Sequence, residues 1–174
     1  MGARYVNRNL VAVIVASVVV TSLQLTIVSP LRSAGVVIMV VWLWPIVLGL
    51  TGVTSLAVVG GVVSGVLFDA QCATPFGLSA IVGGLLGYVS GRLGDEGIGN
   101  FGGSAWWTAP VVSALGGFIA PLVFALLATM FDQLQVWHGS VGTMMVVNAI
   151  AFGILGYPGN LISHRLIRFS GRLR

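Results

Sequence analysis

Acidic side chains and thiols are the first residues to consider for chemistry, and this chain has only four acids and one cysteine. Asp95 and Glu96 are adjacent, and paired carboxylates can carry out acid/base or metal chemistry. They lie in the glycine-rich stretch RLGDEGIGNFGG, however, where such a pair is more typical of a solvated turn. Cys72 is the single cysteine, and the sequence has no CxxC, paired-histidine or HExxH motif. The sequence therefore predicts a protein that is not an enzyme, with no metal site and no cofactor.

Two further polar residues lie next to or within apolar segments. Asp69 directly follows Val66, Leu67 and Phe68, where an acid within one turn of a helix end can cap the next helix. Asn148 lies near the middle of the last apolar run, where its amide either joins helices or lines a polar pocket. Helix-to-helix hydrogen bonding is the commoner role, so we interpret both residues as structural.

The composition places these residues in a membrane protein. Hydrophobic residues make up 57% of the chain and charged residues 7%, against about 25% charged in typical globular domains. The mean hydropathy is +1.05, and the apolar runs approach the roughly 20 residues needed to cross a bilayer. The pI near 10.2 could indicate nucleic-acid binding, but six of the eight arginines lie at the chain ends. That distribution favours a membrane face that attracts lipid head groups, and no nucleic-acid partner is predicted.

The apolar runs predict an all-α fold, a polytopic bundle of six transmembrane helices that forms one integral membrane domain over residues 1–174. The expected helices cover residues 10–29, 34–50, 53–68, 76–91, 104–131 and 140–162. We expect Pro45 to kink the second helix, Pro110 and Pro121 to split or bend the fifth, and residues 156–159 to break the sixth near its end.

The arginines also predict an orientation. Six spans put both termini on one side, which then carries seven arginines against Arg32 alone on the other. This asymmetry predicts cytoplasmic termini in the inner (plasma) membrane.

Small residues recur at four-residue spacing on the third and fourth helices. Stacked on one helix face, they allow another backbone to approach closely. In a six-helix bundle this pattern favours packing within the chain over a dimer motif. The residues concerned are Gly61, Gly65, Ser79, Gly83, Gly87 and Gly91.

The order of features around Asp69 resembles the rod shape-determining protein MreD family. The shared pattern has three parts: a helix that ends Gly-x-x-x-Asp, a short loop that ends Pro-x-Gly, and an apolar helix that contains a tyrosine. In this sequence Gly65, Asp69, Pro75, Gly77 and Tyr88 occupy those positions. Phe76 and Val66 depart from the leucines commoner in the family.

The resemblance implies a non-enzymatic inner-membrane component of the bacterial cell-wall elongation machinery that supports peptidoglycan synthesis and cell shape. It implies MreC as the partner, together with MreB, RodA and a class B penicillin-binding protein. The alternative is the substrate-binding membrane subunit of an energy-coupling-factor transporter, which has a similar six-helix architecture. That alternative predicts an outward pocket lined by Asp69, Asn148 and Gln24.

Overall fold

The computed structural model describes residues 2–28, 38–72, 76–96, 107–131 and 141–172. These residues form six α-helices and one short π-helical segment, and they contain no β-strand. The first helix continues directly into the π-helical segment, Gln24–Val28. The α-helices are α1 Gly2–Leu23, α2 Val40–Gly49, α3 Thr54–Asp69, α4 Leu78–Asp95, α5 Thr108–Met130 and α6 Val141–Arg172.

Successive helices alternate in direction across the bundle. Ser17 and Thr21 of α1 contact the carbonyls of Gly60 and Ser64 in that order, so α1 and α3 run parallel. Helix α2 runs parallel to α4, with contacts at Pro45–Ser90 and Gly49–Gly94, and parallel to α6, with contacts at Met39–Asn148 and Val47–Gly159. Helix α4 is antiparallel to α3, with contacts at Gly61–Gly83 and Gly65–Ala80, and α5 is antiparallel to α6, with contacts at Gly117–Asn148 and Ser113–Gly156. Helices α1, α3 and α5 therefore run one way and α2, α4 and α6 the other, which places both termini at the same end. We call this the terminal end of the bundle.

Helix α2 is the centre of the bundle. It contacts every other helix, and all residues from Val41 to Leu50 are buried. Polar groups on α2 must therefore find partners inside the protein. The indole Nε1 of Trp44, for example, donates to Ser17 Oγ at 3.0 Å, and Trp42 packs against Phe124 with ring centroids 5.3 Å apart.

The predicted bounds of the second and fourth helices were wrong. Ile38 and Met39 were expected to be helical, but α2 begins at Val40 because side chains from other helices bind the preceding backbone. Residues 34–37 lie outside the described residues. Helix α4 begins at Leu78 and continues past Gly91 to Asp95, because Gly94 packs against the turn between α2 and α3.

The predicted end of the sixth helix was also wrong. Residues 156–159 form no break, and α6 continues through Pro158 to Arg172. Gly156 and Gly159 instead lie where Ser113 and Val47 approach the α6 backbone. Likewise α5 is not split, since Pro121 lies within a continuous helix and Pro110 lies in the first turn, where backbone N–H groups lack intrahelical partners.

Three stretches of helix are long and apolar enough to cross a membrane by length and composition. They are Asn9–Ile27, Thr108–Met130 and Val141–Ile167. Helices α2 and α3 are shorter apolar helices, and the ten residues of α2 extend only about 15 Å. The protein is thus an all-helical chain with the properties of a membrane protein.

Helices α3 and α4 pack with their backbones in contact, as intramolecular packing of the small residues predicts. A Cβ on Gly61 would overlap the carbonyl oxygen of Gly83, and a Cβ on Gly83 would lie 2.5 Å from that of Gly61. One turn further, a Cβ on Gly87 would lie 2.5 Å from the carbonyl oxygen of Ala57. Every neighbour in these contacts is backbone and cannot move without separating the helices.

We expect Gly83→Ala to destabilise the bundle by about 1–3 kcal/mol, because the added methyl group forces α3 and α4 apart. Gly153→Ala is the matched control, since a Cβ there meets Ala114 at an ordinary 3.5 Å. Within a helix that change is expected to be neutral or slightly stabilising. Thermal unfolding of the two purified variants in detergent measures the difference. Equal stabilities would contradict this close packing, which we call the α3–α4 seam and which includes Gly61, Gly65, Gly83 and Gly87.

Candidate functional site

The Asp69 carboxylate joins the end of α3 to the start of α4. Asp69 is the last residue of α3 and is only 3% exposed. Its Oδ2 accepts hydrogen bonds from the backbone N–H groups of Gly77 and Ser79, each at 2.9 Å. Ser79 is the second residue of α4, so the carboxylate binds N–H groups that an α-helix cannot satisfy internally. The predicted bonds from Asp69 to the start of the fourth helix are confirmed.

Gly77 gives this turn its backbone conformation. Its φ is +94°, in the left-handed region that residues other than glycine rarely adopt. A Cβ at this position would meet nothing within 4 Å, so the requirement for glycine is conformational and not steric. Pro75, another residue of the resemblance, lies outside the described residues.

The other residues of the resemblance lie on opposite faces of the same helix pair. Gly65 packs against the backbone of Ala80, so it belongs to the α3–α4 seam together with Gly83 and Gly87. Tyr88 is 53% exposed and lies on the outer surface of α4. Gly65 and Asp69 therefore build the hairpin, whereas the Tyr88 ring is available to lipid or to another protein.

A second polar arrangement surrounds the start of α2. The N–H of Met39 donates to Asn148 Oδ1 at 2.8 Å, and the N–H of Val40 donates to Gln24 Oε1 at 2.7 Å. The other end of the Gln24 amide donates from Nε2 to the carbonyl of Ile38 at 2.8 Å. Side chains from α6 and from the π-helical segment thus satisfy backbone groups where α2 begins.

Both polar atoms of the Asn148 side chain make hydrogen bonds. Besides accepting from Met39, it donates from Nδ2 to the carbonyl of Met144 at 2.9 Å, and it is fully buried. The sequence left two roles open for Asn148, joining helices or lining a pocket. These contacts are those of a residue that joins helices. Gln24, which the transporter alternative placed in an outward pocket, makes an equally specific contact with the start of α2.

Sequence reasoning missed a further buried amide on α6. Asn160 is fully buried, and neither of its polar side-chain atoms has a hydrogen-bond partner among the described residues. The same is true of Ser113 Oγ on α5. The spacing could have revealed it, because Asn160 follows Asn148 by three steps of four residues, through Phe152 and Gly156. The two asparagines thus share a buried helix face but differ in their hydrogen bonding.

The arrangement offers structural hydrogen bonds and no visible site for a metal. Within the described ranges, no three His, Cys, Asp or Glu side chains come together as metal ligands would. Cys72, near the Asp69 turn, is half-buried and is the single cysteine of the chain.

Comparison with known proteins gives no further guide to this site. No protein-family model matches the chain, and neither the curated proteins nor the solved structures include a significant match.

We expect Asp69→Ala to destabilise the protein by about 2–4 kcal/mol, because it leaves two N–H groups at the start of α4 without their carboxylate acceptor. Asp69→Asn keeps one acceptor oxygen and is expected to lose less. Asp95→Ala is the control, since Asp95 is exposed and accepts a hydrogen bond from the Thr54 hydroxyl. Folded yield and detergent unfolding measure the series, and a fully stable Asp69→Ala variant would contradict this role.

The two buried asparagines provide a matched pair. Asn148→Leu leaves the Met39 N–H without its partner and is expected to destabilise the protein by about 1–2 kcal/mol. Asn160→Leu removes a buried amide that makes no hydrogen bond, so it is expected to be neutral or stabilising. Unfolding midpoints of both variants test this, and the reverse order of stability would refute the assigned bonding.

Proposed function

We propose that this protein is a six-span inner-membrane protein of the MreD type, a non-enzymatic scaffold of the bacterial cell-wall elongation machinery. Its proposed partner is MreC, with MreB, RodA and a class B penicillin-binding protein as further members of the assembly. The three long apolar helices support a membrane location. The alternating helix directions are those that a bundle with six crossings would have. The arginine asymmetry supports cytoplasmic termini.

The observation that carries the proposal is the hairpin closed by Asp69. The residues that prompted the resemblance come together in one element, with Gly65 in the seam, Asp69 bonded across the turn and Gly77 in the left-handed conformation. The hairpin is held by backbone contacts and is therefore a rigid surface for a partner. Tyr88, on its outer face, is the candidate contact residue.

The transporter alternative receives less support from the same contacts. It requires Asp69, Asn148 and Gln24 to offer polar groups to a ligand. Each of these side chains instead bonds to backbone that begins a helix: Asp69 at α4, and Gln24 and Asn148 at α2. Helix α2 fills the centre of the bundle with buried side chains, where a ligand of that class would need space.

Affinity purification of the tagged full-length protein in a mild detergent, followed by mass spectrometry, tests the proposal. Recovery of MreC and cell-wall synthases is the expected result. Recovery of a paired ATPase with a coupling membrane subunit would replace the scaffold function with the transporter function.

A surface variant then tests the role of the hairpin. We expect Tyr88→Leu to lower the recovery of MreC severalfold while leaving the folded yield unchanged, because the ring is exposed and makes no part of the α3–α4 seam. Phe118→Leu, which alters a 44% exposed aromatic ring on α5, is the matched control and is expected to retain MreC. If both variants retain the partner equally, MreC binds elsewhere on the bundle.

A further inference from the structure

An apolar groove lies between α1 and α6, with α2 as its floor. Its volume is about 810 Å³. One wall extends from Ala12 to Leu23 on α1, the other from Leu155 to Leu166 on α6, and Leu43 and Val47 lie beneath them. We call it the α1/α6 groove. It opens on the outer surface of the bundle, where Val15 and Val19 are more than half exposed.

The length of the groove matches one leaflet of a bilayer. Both walls cover eleven helical steps, which correspond to roughly 16 Å. The hydrocarbon core of a bilayer is about 30 Å thick, so each leaflet contributes about 15 Å. A membrane helix of a partner would need a surface about twice as long, whereas an acyl chain from one leaflet fits this length.

Arginines lie at the terminal end of both walls. Arg165 is exposed and directly precedes Leu166, the last groove residue of α6. Arg8 lies one helical turn before Ala12 on α1, in register with the groove-lining positions. On α6, the positions of Arg168 and Arg172 follow Arg165 at the spacing of one helix face.

Negative charge is missing from the same two helices. Neither Gly2–Leu23 nor Val141–Arg172 contains an aspartate or glutamate, so the two helices that form the walls of the groove carry no negatively charged side chain. An anionic group at the membrane surface is therefore the complementary partner for this end of the groove.

We propose that the α1/α6 groove binds an anionic phospholipid of the leaflet at the terminal end of the bundle. One acyl chain lies along the groove over α2, and the phosphate of the head group interacts with Arg165. This inference rests on the membrane location given under the proposed function but not on the partner MreC.

Native mass spectrometry of the purified full chain, titrated with phosphatidylglycerol or with phosphatidylcholine of the same acyl chains, tests the head-group specificity. Phosphatidylglycerol is expected to bind at least severalfold more tightly. Arg165→Gln should reduce that preference about fivefold, which corresponds to one arginine near a membrane surface. Arg92→Gln, which alters an exposed arginine at the terminal end of α4, is the control and should leave the preference unchanged.

A second pair of variants tests the groove itself. Val19→Trp fills the groove and should lower the binding of both lipids, whereas Val18→Trp, on the same helix but outside the groove, should not. Val15→Trp replaces the first variant if that one is not recovered folded. Equal binding of the two lipids by the native chain, or unchanged binding by the groove-filling variant, would overturn the proposal.

The same assay separates failure of this inference from failure of the proposed function, because it contains no MreC. Loss of MreC recovery with intact lipid binding would affect only the scaffold function. A photo-crosslink in cells from position 19 to a membrane helix of another protein, in place of lipid, would assign the groove to that protein and refute the lipid site.

Discussion

The fold depends on hydrogen-bond acceptors for the backbone N–H groups at the start of α2. This helix is surrounded by all the others, so water cannot bind the N–H groups that precede its first turn. Gln24 and Asn148 provide the missing acceptors for Val40 and Met39. Because Gln24 lies in the segment that continues α1 and Asn148 lies in α6, these side chains connect the first and last helices to the central one.

The close packing of α3 against α4 is the second constraint. Apolar side chains gain little by leaving lipid for protein, so association of membrane helices relies on close contact and on hydrogen bonds. Gly61 and Gly83 let the two backbones touch, and the Asp69 carboxylate holds the ends together at the turn. The hairpin is consequently stabilised along its whole length, and its outer face is left for lipid or a partner.

Most buried polar groups in the bundle serve the fold. Asp69, Gln24 and Asn148 all bond to backbone at helix starts, and Ser17 binds both the Trp44 indole and backbone carbonyls. The described surface includes two regions that are proposed to bind a partner or lipid. One is the outer face of the α3–α4 hairpin, and the other is the α1/α6 groove with arginines at its end.

The number and order of the helices followed from the sequence, because each apolar run is separated from the next by polar residues, glycine or proline. The role of Asp69 at the turn was also predictable, since helix ends need local acceptors and few acids were available. The small-residue seam followed from a spacing of four, which one helix determines by itself.

The sequence by itself therefore determined the helical class, the α3–α4 hairpin and the concentration of arginine at the two ends. It could not determine where α2 begins, because Asn148 lies 109 residues away from the Met39 amide that it binds. Nor could it show that α6 continues through Pro158, since the packing of Gly156 and Gly159 against α5 and α2 decides that. Only the tertiary structure shows that, among the described residues, Asn148 makes side-chain hydrogen bonds and Asn160 does not. Hydrogen-bond partners depend on which helices meet, and the face of a single helix does not determine them.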